Sequence, residues 1–373
     1  MKFDRKTLAS LTKTGRGEYG IGASAVEYSP DLLTYLRITD INDDGTLNKD
    51  GLKSVSDSEA SKYLLQPNDI VFARTGASTG RNYFYDGSDG KLVYAGFLIR
   101  FGLDETNVNP KFVKYYCLTK RYKDWISSFS TGSTRGNINA QTLGAMEIEL
   151  PPREYQDKLV SIASSLDEKI KLNNAINHNL QQQAEALFER LFPRVLDGDQ
   201  AIGDYITPKR GRNLLSKDAV AGNVPVVAGG LEAATYHNVA NTVDPVLTIS
   251  ASGANAGFVN LWLTPVWSSD SSFIDRTMTA DVFFWYVMLK KRQREIFDAQ
   301  TGSAQPHIYP QHIAAMKVSA LNGEEITRYT ELVTPLFALI GKNKLENSRL
   351  AVLRDTLLPK LMSGEIDVSE VEI

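Results

Sequence analysis

The stretch from Glu154 to Phe192 reads EYQDKLVSIASSLDEKIKLNNAINHNLQQQAEALFERLF, 39 residues without a proline or glycine. Its apolar residues recur at Leu159, Ile162, Leu166, Ile170, Ile176, Leu180, Ala184, Leu187 and Leu191. Steps mostly of three and four put them on one face of a helix, close to a heptad seam. At ~1.5 Å per residue the helix is about 58 Å long. One apolar stripe on so long a helix is not stable in water alone, so it needs a partner.

The partner lies in the same chain. Shifted by 170 positions, the sequence matches itself. Leu166 falls on Leu336, Ile170 on Ile340, Asn173 on Asn343, Asn177 on Asn347, Leu180 on Leu350, Leu187 on Leu357 and Leu191 on Leu361. Upstream, Thr131-Gly132-Ser133 falls on Thr301-Gly302-Ser303, Ile138 on Ile308, Gln141 on Gln311, Tyr116 on Tyr286 and Ile126 on Ile296. A constant offset without a gap marks a tandem repeat of a globular domain followed by a long helix. The second helix must run antiparallel to the first to bury its stripe, giving the two halves pseudo-two-fold symmetry. Asn173 and Asn343 take equivalent places in the seam, where a polar residue fixes register and orientation.

The expected fold class is therefore α+β. Two globular domains, residues 1–153 and 194–322, are joined by two spacer helices, 154–193 and 323–364, and a tail, 365–373, follows. Strands are predicted at 35–38, 69–73, 92–101 and 146–150, and in the second domain at 224–227, 246–250 and 258–263. Asn109-Pro110 opens a helix with its N-cap and first-turn proline, and its apolar face runs from Phe112 to Ile126. Its counterpart spans 281–297. Thr334-Pro335 predicts a break or restart in the second long helix, and Gly364 a C-cap. The final SEVEI is expected to fray.

Composition sets outer limits. The chain has 373 residues, 42% hydrophobic and 23% charged, with a formal net charge of −3. That is ordinary for a globular protein. No apolar run is long enough for a membrane span and no signal core opens the chain, so a cytoplasmic protein is expected. The single cysteine, Cys117, excludes an intramolecular disulfide and reads as a buried structural thiol. A slightly acidic total counts against nucleic-acid binding, but the cations are clustered. Lys120, Arg121 and Lys123 cluster in the first repeat and Lys290, Lys291 and Arg292 in the second, at equivalent places around Lys120-Arg121 and Lys290-Lys291, and Lys209, Arg210 and Arg212 form a further group.

Catalytic motifs are scarce. There is no GxxxxGK[ST], no HExxH and no CxxC, and the four histidines are scattered. Gly76-Ala77-Ser78-Thr79-Gly80 does match the GxSxG nucleophile elbow of serine hydrolases. An elbow must open a helix, whereas Arg81 to Tyr85 reads as a strand. The repeat carries Gly253-Ala254-Asn255-Ala256-Gly257, which keeps the glycines and replaces the serine. A backbone turn fits both copies. Around it, Arg74, Ser78, Thr79, Arg81 and Asn82 suit contact with a polyanion. Arginine and asparagine can read purine edges, and hydroxyls can hold phosphates.

The order TYLRITDI (34–41), NDIVFARTGASTG (68–80), TGSTRGNIN (131–139), ELPPREYQ (149–156) and a long helix ending EALFERLF resembles the specificity subunit of Type I restriction–modification systems. The second half follows with TGSAQPHIYPQ (301–311) and LRDTLLPKLMSGEI (353–366). The resemblance covers essentially the whole chain. It implies two target recognition domains that each read half of a bipartite site in double-stranded DNA, on a coiled-coil spacer that docks two modification (methyltransferase) subunits and restriction subunits. It implies no active site and no metal in this subunit; S-adenosylmethionine, ATP and Mg belong to the partners. With a rise of ~3.4 Å per base pair, the helix length corresponds to about 17 base pairs.

On this reading the DNA-binding residues are Arg74, Ser78, Thr79, Arg81, Asn82, Lys120, Arg121, Lys123 and Arg135 in the first domain. In the second they are Lys209, Arg210, Arg212, Asn255, Lys290, Lys291 and Arg292. Arg81 and Asn255 are the expected base readers. The seam is expected at Leu166, Ile170, Asn173, Leu180, Leu187, Leu336, Ile340, Asn343, Leu350 and Leu357. The competing reading is a structural protein-interaction scaffold with two binding domains on a coiled-coil spacer. Steep weakening with salt marks DNA binding and not an apolar interface.

Overall fold

The computed structural model describes residues 3–129, 137–302 and 305–368. The chain forms two compact units, Met1–Ile170 with Ser348–Ile373, and Lys171–Asn347. Each is α+β, and each takes part of both long helices, Arg153–Leu191 and Gly323–Ser363.

In the first unit the strands Glu18–Tyr19, Leu98–Gly102, Asp69–Ala73 and Asn82–Tyr85 form an antiparallel sheet in that order. Asp69–Ala73 is buried along its whole length, as its run of β-branched and aromatic residues requires. A second sheet runs Ala25–Val26, Lys53–Val55, Leu33–Leu36, Leu92–Tyr94, its last pair parallel. The expected strand 92–101 is therefore two strands in different sheets. They are separated by a turn in which Leu98 N–H donates to the Ala95 carbonyl at 2.8 Å. Likewise the helix opened by Asn109 is two, Pro110–Tyr116 and Lys120–Ser127. Asn109 caps the first as expected, and Thr119 caps the second by accepting from Tyr122 N–H. Phe72, Phe101, Phe112 and Tyr115 fill the core, with Cys117 buried among them. Burial pushes the Cys117 thiol up, which keeps it an inert thiol.

The second unit repeats the plan. Lys209–Arg210, Ser271–Asp275, Val246–Ser250 and Val259–Trp262 form the equivalent sheet in the equivalent order. Val224–Val227 pairs in parallel with Trp267–Ser268, as Leu33–Leu36 does with Leu92–Tyr94. The expected helix 281–297 again divides, into Val282–Lys291 and Gln293–Asp298.

Within each unit the two long helices run antiparallel. In the first, Tyr155 Oη donates to the Leu361 carbonyl at 2.8 Å and Arg354 Nη1 to Asp167 Oδ1 at 2.8 Å. In the second, Tyr329 Oη donates to the Ala184 carbonyl at 3.0 Å. Asn173 and Asn343 are both buried in the seam. Asn173 Nδ2 donates to Asn347 Oδ1 at 2.9 Å, and Asn343 Nδ2 to Asn177 Oδ1 at 2.9 Å. Under the 170-residue shift these are the same bond.

The other expected seam positions split by depth. Leu180 and Ile340 are buried, while Leu166, Ile170, Leu187, Leu336, Leu350 and Leu357 are half-buried. Buried residues lie one position on from three of them, at Phe188, Phe337 and Leu358. The seam faces the sheet-bearing domain as well as the other helix, which rotates the buried stripe toward the side where the domain packs.

The second long helix does not break at Thr334-Pro335. Pro335 is exposed, and its neighbours Val333 and Phe337 are buried, so packing on both sides outweighs one lost backbone bond. Gly364 ends this helix at φ +74° with its N–H on the Leu361 carbonyl, the expected C-cap. Beyond it the chain stays attached. Ile366 packs on the first unit's core, Val368 is buried, and Tyr155 Oη reaches the Ile366 carbonyl at 3.0 Å. The SEVEI segment lies outside the described residues.

Candidate nucleic-acid interface

Both central strands end in a glycine turn. After Asp69–Ala73 comes a short 3-10 turn, Gly76–Ser78, then the strand Asn82–Tyr85. No helix follows the turn, and Ser78 is buried; this geometry is not a nucleophile elbow. In the first unit Gly80 N–H donates to the Ala73 carbonyl at 2.8 Å; in the second, Gly257 N–H donates to Ser250 at 2.7 Å. Each turn is bridged to the loop ahead of a short helix, Thr75 to Asn137 and Ser252 to His307. Ile138 N–H donates to the Arg74 carbonyl at 2.9 Å, and Ile308 N–H to the Ala251 carbonyl at 2.9 Å. The two units thus present the same backbone platform.

Glycine is required where the platform meets the helices. Gly80 has φ +86° and a Cβ there would stand 2.4 Å from Ile126 Cγ2; Gly257 has φ +86° and would meet Ile296 Cγ2 at 2.9 Å. Gly80→Ala is expected to cost about 2–4 kcal/mol through left-handed strain plus overpacking. Denaturant unfolding with an unchanged slope is the check.

On this platform the predicted cations have different fates. Arg74 lies half-buried, its guanidinium carbon 5.2 Å from the centre of the Tyr19 ring and 5.9 Å from that of Phe97. Thr79 Oγ1 donates to the Gly76 carbonyl at 2.8 Å. Arg81 is committed within the fold: Nε donates to Asp43 Oδ1 at 2.6 Å and Nη1 to the Ile41 carbonyl at 3.2 Å. Asn82, expected at the DNA surface, is instead buried, on an edge strand that is covered along its whole length. Lys120, Arg121 and Lys123 are exposed. Lys120 pairs with Asp124 at 2.5 Å and Arg121 with Glu149 at 2.6 Å. The Arg121 bond holds the Glu149 carboxyl below its usual range. Arg135 lies outside the described residues.

The second unit corrects more of the expectation. Lys209 and Arg212 are exposed, and Arg210 Nη2 donates to Asp270 Oδ1 at 2.5 Å. Asn255 is half-buried in the turn, its carbonyl accepting from Phe258 N–H at 2.9 Å. The cluster at 290–292 is structural. Lys290 Nζ donates to the Val259 carbonyl at 3.2 Å and lies 4.4 Å from the centre of the Phe258 ring. Lys291 pairs with Glu189 of the first long helix. Arg292 is buried, donating to both Glu295 oxygens at 2.8 and 2.7 Å and to the Lys317 carbonyl at 2.7 Å. It sits at the break between two helices and ties that break to a neighbouring strand. Matching basic clusters in the sequence thus do not mark matching surfaces.

Several residues beside the platform carry no motif. Strand register puts Tyr19 of the first unit where the second has Arg210, and Phe97 where it has Asp270. Tyr19 and Phe97 are exposed aromatics. Asp270 also accepts from the Ser252 hydroxyl. His307 and Tyr309 are stacked beside Ser252, with ring centroids 6.0 Å apart and an interplanar angle of 9°. Only the strand pairing brings these residues together, since the repeat offset alone does not reach Tyr19 or Arg210.

Residues 28–182 match the family described as Type I restriction modification DNA specificity domain. The chain carries a Type I specificity domain. That domain takes in the first unit's platform and most of the first long helix. The chain is 23% identical over 312 residues to the Type I restriction enzyme MjaIX specificity subunit of Methanocaldococcus jannaschii, covering 72% of each protein. It is 26% identical over 227 residues to the Type I restriction enzyme HindI specificity subunit of Haemophilus influenzae, 56% of this chain and about half (48%) of that one. The fold is that of the Type-I restriction-modification system S subunit from M. genitalium, with TM-score 0.55 and 19% identity over 97% of this chain and 96% of that one. Among the described residues, no helix is long and apolar enough to cross a membrane.

Proposed function

We propose that the chain is a non-catalytic DNA-recognition subunit whose two globular units each read one half of a bipartite double-stranded target. In this reading the long helices dock modification subunits and restriction subunits, and those partners bring S-adenosylmethionine, ATP and Mg. The observation that carries it is the duplicated platform with unlike side chains. The backbone bonds around Gly80 and Gly257 are equivalent. The residues at matching places there are Tyr19, Arg74 and Phe97 in one unit and Arg210, Ala251 and Asp270 in the other. A scaffold for one repeated partner would present the same groups twice. A reader of two unrelated half-sites would not.

The test is to co-express the chain with a cognate modification subunit and map methylated adenines in host DNA at single-molecule level. Two short specified blocks around a fixed gap are expected. Replacing residues 1–153 with the matching segment of a relative should change one block and leave the other intact. No new methylation with an active partner, or a swap that alters both blocks, defeats the reading and favours the protein-interaction scaffold.

A further inference from the structure

Arg74 differs from four other arginines of the first unit. Arg81 is held by Asp43, Arg37 by Asp40, Arg100 by Glu18 and Asp69, and Arg121 by Glu149. Among the described residues the Arg74 side chain has neither an ion pair nor a hydrogen bond, and its Nε is buried without a partner. Its position is nevertheless fixed. Its N–H donates to the Phe97 carbonyl at 3.0 Å and its carbonyl accepts from Ile138. The rings of Tyr19 and Phe97 both lie near its guanidinium, at 5.2 and 5.9 Å. Tyr19 is itself anchored, its hydroxyl accepting from Ala140 N–H at 3.1 Å. Both residues are exposed, 45% for Tyr19 and 56% for Phe97.

A planar donor fork held by packing, with its hydrogen bonds unmade, is preorganised for a planar pair of acceptors. Guanine offers that pair, O6 and N7, in the major groove. A phosphate could also accept from the fork. Two exposed aromatic rings beside it, however, are poor neighbours for a hydrated sugar–phosphate backbone and good ones for base edges and thymine methyl groups. In the second unit Ala251 stands at the place of Arg74, and Arg210, at the place of Tyr19, is already paired with Asp270, so the same readout is not repeated there.

We infer that Arg74 reads a guanine in the half-site bound by the first unit, with Tyr19 and Phe97 as positioning residues. This rests on the DNA-recognition reading above and goes beyond it in naming the residue and the base.

The test uses the full chain co-expressed with its modification subunit, with adenine methylation mapped for the natural chain, Arg74→Ala, Arg74→Lys and Tyr19→Ala. The natural chain should give a split motif with a guanine in the block assigned to residues 1–153. Arg74→Ala should relax that guanine position alone by about ten- to a hundred-fold, leaving the other block intact. Arg74→Lys, which keeps the charge without the fork, should relax the same position. Tyr19→Ala should weaken discrimination there without moving it to another base. Three results overturn the inference while the DNA-recognition reading survives: a split motif with no guanine in that block, an unchanged motif in Arg74→Ala, or a uniform loss over all sequences with a salt slope reduced by about one, the mark of a phosphate contact. A natural chain that yields no split motif defeats both. If Arg74→Ala fails to melt like the natural chain, Arg74→Lys decides.

Discussion

Phe188→Ala is expected to lower the stability of the second unit by about 3–5 kcal/mol. Phe188 is 1% exposed on the first long helix. Its ring centroid lies 5.3 Å from that of Phe192, 5.6 Å from Phe284 and 5.7 Å from Tyr329. Those partners come from the residue just past the end of the first long helix, the helix of the globular domain and the second long helix. The cavity cannot close by moving one element, because three share it. Hydrogen exchange resolves the effect: amides within 171–347 should lose protection, while those of the sheet around Asp69–Ala73 keep theirs. Equal loss in both would show that the units unfold as one.

Asp167→Ala is expected to cost the first unit about 3 kcal/mol. Asp167 Oδ2 accepts from Lys114 Nζ at 2.8 Å and Tyr115 Oη at 3.0 Å, and Oδ1 from Arg354 Nη1 at 2.8 Å. The Asp167 and Arg354 side chains are only 20% and 15% exposed, so removing the carboxylate leaves two poorly solvated cations. Burial alone would raise the Asp167 carboxyl. Lys114 and then Arg354 outweigh it and hold the carboxyl below its usual range. A depressed folded value means that this contribution is complete above the ordinary carboxylate range and is lost as pH falls through the lower folded value. Acid unfolding of the natural chain should show that loss, and Asp167→Ala should be flatter over the same range. The second unit supplies the control. The 170-residue shift takes Lys114, Asp167 and Arg354 to Phe284, Phe337 and Ala184, all buried. Grafting those three residues together should be near neutral or stabilising, since a buried ionic cluster replaced by packed apolar groups often is.

That cluster also shows where sequence reading succeeds and where it stops. The repeat, the long helices, their antiparallel pairing and the Asn173/Asn343 seam follow from periodicity and a constant offset, because such features are properties of position along the chain. Phe188 and Phe337 escaped the expected stripe by one residue, because a helix touching both another helix and a domain rotates toward the sum of the two contacts. At the platform the glycines were legible, since a backbone turn needs them whatever the side chains do. The partners of the arginines were not. Nothing in the local sequence separates Arg74, whose fork is unmade, from Arg81, which Asp43 takes from 38 positions away. Arg292 looked like surface charge beside Lys290 and Lys291, and only the helix break explains its burial. Tyr19 and Phe97 had no signature, because it is strand register that sets them beside Arg74.

The asparagine seam has a consequence for ancestry. Asn173 to Asn347 and Asn343 to Asn177 are one bond written twice, donor and acceptor exchanging halves. A contact that is its own image needs no more than half the gene: a single-domain forerunner could have made both bonds by meeting a twin, Asn173 of each to Asn177 of the other. Duplication and fusion would then have tethered the twins without redesigning where they touch, and left each copy free to drift. The unlike polar and aromatic clusters at matching places are what such drift leaves behind once the join no longer depends on likeness.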